Sequence, residues 1–359
     1  MNLDSGLILK IVLTIVISAV ISCATTPLVK TLARKVGAMD IPKDERRMHK
    51  KPIPRMGGLA IFLGFMAAFL LFGGKMITTE VRGILLGAVM IVILGILDDI
   101  MTLKALPKFA VQILAAVVVV MHGCRIENFL SYELPTWMSY TVSIIWILMI
   151  TNAVNFIDGL DGLAAGVSAI SGGTMLIVSL MLAGDNNAVV VVSALILAAL
   201  FGGCVGFIPY NFNPASIFMG DTGSTFLGFT LASVSIFGLF KTYALISFAA
   251  PFLVLGLPIF DICFAVIRRI LKGQSPMHAD RGHVHHRLID MGLSQQQAVA
   301  ISYLISTLLG LSAVILTDSD GIQTLIFFIT LAVVGAIAFK LIFSHHHHKN
   351  PEDNEHEKD

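Results

Sequence analysis

The side chains that could do chemistry come in clusters. LGILDDI ends on the adjacent carboxylates Asp98 and Asp99, and NAVNFIDGLDGL spaces Asn152, Asn155, Asp158 and Asp161 three residues apart. FMGDTGS sets Asp221 between Gly220 and Gly223, and DRGHVHHRL carries Arg281, His283, His285, His286 and Arg287. A fifth stretch, ERRMHKKPIPRMGG, contains His49 among basic residues. Adjacent carboxylates raise each other's pKa unless a cation compensates. A hard divalent ion, or the positive surroundings of an anionic substrate, would account for Asp98 and Asp99; the plainer reading is a hydrated helix end pairing with Lys104 or Lys108. On a helix, residues 152, 155, 158 and 161 would form one polar strip, which Gly159 and Gly162 break or open to a close neighbour. Amide and carboxylate oxygens suit Mg²⁺, which keeps several waters while phosphate completes its shell. A polar seam between packed helices is the competing account. Before Asp221's helix, Thr222 or Ser224 would act as N-cap and leave backbone N–H groups for an anion. Arginines alternating with histidines fit phosphate better than zinc, whose closed sites take four ligands. The His49 stretch reads first as a topology signal, or as a patch for anionic headgroups.

These clusters interrupt a chain that is otherwise membrane-grade. The 359 residues are 56% hydrophobic and 13% charged, with mean hydropathy +0.86; soluble domains carry about 25% charged residues. Runs of the roughly 20 residues that cross a ~30 Å hydrocarbon core recur throughout. The pattern predicts an all-α polytopic protein of about eleven spans: 6–27, 57–74, 80–98, 108–123, 137–155, 160–183, 187–207, 223–240, 242–268, 297–316 and 322–343. A transmembrane domain over 1–343 is then followed by a polar, disordered tail over 344–359. Asp4 before the first run, with basic residues after it, makes that run an uncleaved anchor with its N-terminus outside. All but five of the 24 Lys and Arg residues (Lys10, Lys75, Arg82, Arg125 and Lys241) then fall on the inner side, which also receives the C-terminus. The same topology brings all five clusters to the cytoplasmic face. The four cysteines form no CxxC pair and read as small apolar residues. A transporter would place broken helices at matched midplane positions in two repeats, and neither repeat nor midplane cluster is visible. A cation channel would want rings of acids rather than loops rich in His and Arg.

Together and in this order, the motifs resemble the polyprenyl-phosphate N-acetylhexosamine-1-phosphate transferases (glycosyltransferase family 4), from TPLVKTLARKVGAMDIPKDERRMHKKPIPRMGGLAIF (26–62) to DRGHVHHRL. GHVHHRL and HKKPIPRMGG resemble the undecaprenyl-phosphate GlcNAc-1-phosphate branch, nearest to the enzymes that initiate teichoic acid linkage units. The phospho-MurNAc-pentapeptide transferase of peptidoglycan synthesis is the alternative. The resemblance implies a helical bundle in the bacterial plasma membrane with a cytoplasm-facing site. It implies UDP-GlcNAc and undecaprenyl phosphate as substrates, membrane lipid as surroundings, no nucleic acid, and Mg²⁺ as cofactor, or Mn²⁺ in its place. A homodimer is compatible with it. It puts the metal on Asp221 and Asn155, and makes Asp98 the residue that orients or deprotonates the lipid phosphate, with Asp99 as the fallback. Asp158 and Asp161 would contact substrate or order the metal's surroundings. Asn152, Lys108, Arg281, His283, His285, His286, Arg287 and His49 are the candidates for substrate binding.

Overall fold

The computed structural model describes residues 5–42, 51–129, 132–182, 188–239, 245–271 and 284–317. Twelve helices follow one another in these segments: α1 (Ser5–Val36), α2 (Gly58–Gly73), α3 (Thr79–Met101), α4 (Ala105–Met121), α5 (Thr136–Ile157), α6 (Leu163–Met181), α7 (Ala188–Asn211), α8 (Gly220–Val234), α9 (Leu245–Val254), α10 (Gly256–Leu271), α11 (Val284–Asp290) and α12 (Gln295–Thr317). Two short antiparallel pairs accompany them, β1 (Met39–Asp40) with β2 (Ile53–Pro54), and β3 (Asn128–Phe129) with β4 (Tyr132–Glu133). Among the described residues, seven helices are long and apolar enough to cross a membrane, and α4 and the apolar part of α10 are shorter.

Helix α1 inverts the pattern of a soluble amphipathic helix. On α1 the buried stripe is Thr14, Ser18, Ser22 and Thr26, while Ile8, Leu9, Val12, Val16 and Val20 are exposed. Small polar residues let helices approach closely, and large apolar ones face the hydrocarbon. Ser18 Oγ donates to Ala199 O at 2.6 Å and Ser22 Oγ to Gly203 O at 2.8 Å, so α1 is fastened to α7 through its polar stripe. Helix α7 is largely buried against α1, α2 and α6, and α8 lies between α3 and α5. A chain covered in exposed Leu, Ile and Val side chains is a membrane protein.

Two sequence expectations are corrected. The run 242–268 is two helices, α9 and α10, separated at Leu255. Pro258 has no N–H for the carbonyl four residues back, and Ser171 Oγ of α6 donates to that Val254 oxygen at 2.9 Å instead. The polar strip over 152–161 does not run along one helix, because α5 ends at Ile157 and Gly162 adopts φ +80°. The span predicted over 322–343 and the tail lie outside the described residues.

Helices α3, α5 and α7 end on the rim of the bundle where α2, α4, α6, α8 and α12 begin, as the hydrogen bonds among these ends show. Residues 53–58 are stitched to the lead-in of α8: Phe218 N–H donates to Pro54 O at 2.8 Å, and Gly57 and Gly58 N–H donate to Phe218 O and Met219 O at 2.9 Å.

Candidate active site

Asp98 and Asp99 occupy the last turns of α3, and their carboxylates do different work. Asp98 Oδ1 accepts Leu103 N–H at 2.7 Å, which fastens the turn into α4. Asp98 Oδ2 accepts Lys108 Nζ at 2.9 Å, and the same ammonium donates to Asp221 Oδ2. One cation thus bridges two carboxylates from different helices. Lys108 stands in the first turns of α4, and Gln112 sits one turn further on. Gln112 is 3% exposed, and its Oε1 accepts Asn152 Nδ2 of α5 at 2.9 Å. Asn152 Nδ2 also donates to Leu148 O at 2.8 Å, so its amide N–H groups brace α4 against α5.

Asp99 is 1% exposed. It accepts Asp221 N–H and Thr222 N–H at 3.1 Å each, and Thr222 Oγ1 at 2.6 Å. These are first-turn donors of α8, so the helix is capped from α3. The motif alone assigns that task to Thr222 or Ser224 and leaves the amides to an anion. Both residues instead lie inside α8, which starts at Gly220, and Asp99 takes two of the amides. Gly220 has φ +72°, and a Cβ there would stand 2.8 Å from Asp99 Cγ; only glycine fits.

Asn155, in the last turn of α5, donates through Nδ2 to Ser224 Oγ at 2.8 Å, and its side chain lies beside the Asp221 carboxylate. Asp158 sits in the turn after α5. Burial, with the negative charges of Asp221, Asp99 and Asp161, pushes its carboxyl up to about 8. Asp161 is turned outward from this group: its Oδ2 accepts Asn213 Nδ2 at 2.9 Å and Ala215 N–H at 3.0 Å. Asn213 also donates to Gln295 Oε1 at 2.9 Å, and Tyr303 OH donates to Gly162 O at 2.6 Å, so this turn is tied to α12.

The structure therefore brings together Asp98, Lys108, Asp221, Asn155, Asp99 and Asp158, with Asn152 and Asp161 at their margins. Arg281, His283 and His49 lie outside the described residues. His285 and His286 lie on α11, where their side chains are not described, and Arg287 rests 4.7 Å over the Phe264 ring of α10. Three residues that matter here were missed in the sequence. Gln112 was detectable as a polar residue four positions after Lys108 in an apolar helix. Asp261, 2% exposed on α10, accepts Val284 N–H at 2.7 Å and so anchors α11; as an acid in a predicted span it carried a signal. Arg55 was absorbed into a charge run, yet its Nε lies 4.0 Å from Asp99 Oδ1.

Among the described residues, no group of three His, Cys, Asp or Glu side chains could hold a metal ion. Mg²⁺ asks for less, since one or two carboxylates suffice when water and phosphate complete the octahedron. Asp221, its neighbour Asp98 and the amide oxygen of Asn155 are hard donors. The ammonium that already joins the two carboxylates marks the spot as suited to a cation. The residues fit Mg²⁺.

This chain is similar to known proteins. The family model for glycosyl transferase family 4 matches residues 81–239, from α3 through the end of α8 and the π turn after it. The chain is 42% identical to a Bacillus subtilis (strain 168) protein named probable undecaprenyl-phosphate N-acetylglucosaminyl 1-phosphate transferase, over 94% of this chain and 93% of that one. It is 36% identical to a Mycobacterium leprae (strain TN) decaprenyl-phosphate N-acetylglucosaminephosphotransferase, covering 80% and 79%. An undecaprenyl-phosphate alpha-N-acetylglucosaminyl 1-phosphate transferase of Thermotoga maritima is 30% identical over 82% and 88%.

Proposed function

The chain belongs to glycosyl transferase family 4, and from that premise we propose that it transfers GlcNAc-1-phosphate from UDP-GlcNAc to undecaprenyl phosphate. An oxygen of the lipid phosphate attacks the β-phosphorus of the donor. The bond from that phosphorus to the oxygen bridging it to UMP breaks, and undecaprenyl-diphosphate-GlcNAc and UMP leave. Such a transfer needs alignment and charge neutralisation more than a strong base. The observation that carries the reading is the Lys108 ammonium shared by Asp98 and Asp221. It is a cation, partly exposed, at a membrane-embedded helix end where two anionic substrates must meet.

Asp98 orients the attacking phosphate and takes its proton if it arrives as the monoanion. Lys108 turns from the carboxylates to the incoming phosphate oxygens. Asp99 acts through α8, holding the first turn so that Asp221 faces Asp98. Mg²⁺, held by Asp221 and Asn155, would offset the charge of the diphosphate and of the departing UMP. Asp158 lies beside these carboxylates, where it would contact substrate or order the metal's surroundings, and Asp161 keeps the following turn in place. The rim that carries the site faces the cytoplasm, where UDP-GlcNAc is made. The teichoic acid linkage unit is the polymer we propose it initiates, on the motif resemblance; depleting the protein should then lower wall phosphate and leave peptidoglycan synthesis running.

The test uses purified protein with undecaprenyl phosphate and Mg²⁺, comparing UDP-GlcNAc with UDP-MurNAc-pentapeptide. Lipid-linked sugar and stoichiometric UMP are expected from UDP-GlcNAc alone, abolished by chelation and restored by Mg²⁺ or Mn²⁺. Product from the pentapeptide donor alone would overturn the donor and keep the site.

A further inference from the structure

The Arg55 side chain is 24% exposed, so its guanidinium end reaches the rim while its Nε is buried with no hydrogen-bond partner. The acid beside it, Asp99, is 4.0 Å away at Oδ1, beyond hydrogen-bond reach. Asp99 is also already served by three α8 donors. Leaving a buried charged donor unsatisfied is costly, and here the cost is fixed into the backbone. Arg55 N–H donates to Ala38 O at 2.9 Å, and Met56 beside it adopts φ +83° while 2% exposed. The residues on both sides, Pro54 and Gly57, bond to Phe218 at the lead-in of α8. The guanidinium is therefore held on the segment that delivers Asp221, one residue beyond Gly220.

We propose that Arg55 is a substrate-binding residue that grips the diphosphate of the sugar nucleotide. The assignment rests on the sugar-nucleotide reading above. Guanidinium donors form a fork that matches phosphate oxygens two at a time, and an ammonium does not. Lys108 bridges Asp98 and Asp221 and is assigned above to the lipid phosphate, so Arg55, beside Asp99, is a second cation at these carboxylates, with its fork left for the other phosphate. The competing role is passive, a positive charge that offsets buried Asp99.

Arg55→Ala and Arg55→Lys, each in the full chain, decide between the two. If Arg55 grips the diphosphate, Arg55→Ala raises the KM for UDP-GlcNAc about thirtyfold, as expected for loss of a charge-assisted fork. The KM for undecaprenyl phosphate and the thermal midpoint stay unchanged. Arg55→Lys recovers only part of the loss, and added guanidinium ion rescues Arg55→Ala while leaving the wild type unaffected. An unchanged donor KM would overturn the assignment. So would a loss that disappears when Asp99→Asn is added, because that is the signature of charge balance. Calorimetric titration with UDP separates this from the transfer reading. If the wild type fails to turn over UDP-GlcNAc, the proposed reaction falls, while equal UDP affinity in wild type and Arg55→Ala would still overturn Arg55's role.

Discussion

The carboxylates of Asp98 and Asp99 are neighbours in sequence, but residues one apart on a helix point about 100° from each other. That angle divides the pair between a substrate-facing and a helix-holding task. Asp98→Asn keeps an oxygen for Leu103 N–H and should lower kcat by about a hundredfold or more, the range for losing a positioned acid–base group; UMP release measures it. Asp99→Asn should lower stability by about 1–2 kcal/mol, the worth of a helix cap, because its amide turns a donor toward donors of α8. Turnover should fall with it, as Asp221 shifts. If Asp99→Asn were as stable as wild type, the capping role would be gone. The sequence made the pair visible and left its two members interchangeable, since only the packing of α3 on α8 decides which one meets Thr222. Asp158 adds a pH signature. Its carboxyl is raised to about 8 in the fold, against an ordinary value of 3.8. Its contribution to stability is therefore complete below pH 3.8 and drains away as pH rises towards 8. Metal-free protein should melt at lower temperature at pH 8 than at pH 5, Asp158→Asn should flatten that slope, and Mg²⁺ should stabilise most at the higher pH.

At the scale of elements, apolar periodicity located most helices because hydrocarbon demands continuous hydrogen-bonded backbone. It misjudged the places where tertiary contacts rescue an interruption. Pro258 and Ser171 are the clearest case: the break in the run 242–268 is invisible without knowing that α6 supplies a hydroxyl to the stranded Val254 carbonyl. Ser171→Ala should cost about 1 kcal/mol, typical of an interhelical hydrogen bond in a membrane protein. Unfolding in detergent measures it, and Ser168→Ala, one turn earlier with no hydrogen-bond partner for its hydroxyl, is the control expected to be near neutral. The strip over 152–161 failed for a similar reason. Spacing by three suits a helix, but α5 ends at Ile157, and Asp161 then finds Asn213 and Ala215 in the turn before α8. Gln112 was legible only as an oddity in an apolar helix, because its partner Asn152 is 40 residues away.

At the scale of the whole molecule, the gathering of site residues on one rim and the charge distribution are independent of each other. The rim is defined by hydrogen bonds between helix ends, whereas the positive-inside bias counts lysines and arginines regardless of contacts. Arg34, Lys35, Arg55, Lys104 and Lys108 belong to the helix ends of the site rim. Lys75 and Arg82 flank the opposite turn between α2 and α3. A bundle whose outer face is Leu, Ile and Val cannot turn over once inserted, so one orientation should hold for every copy. Single cysteines at Lys104 and Lys75, placed in a chain whose four native cysteines are replaced, read that orientation directly with a membrane-impermeant maleimide. Lys104→Cys should label only in inside-out vesicles and Lys75→Cys only in intact protoplasts. The reverse pattern would put the acids, the ammonium and the guanidinium outside, beyond reach of a cytoplasmic nucleotide sugar. No rearrangement of residues within the site could then save the proposed reaction.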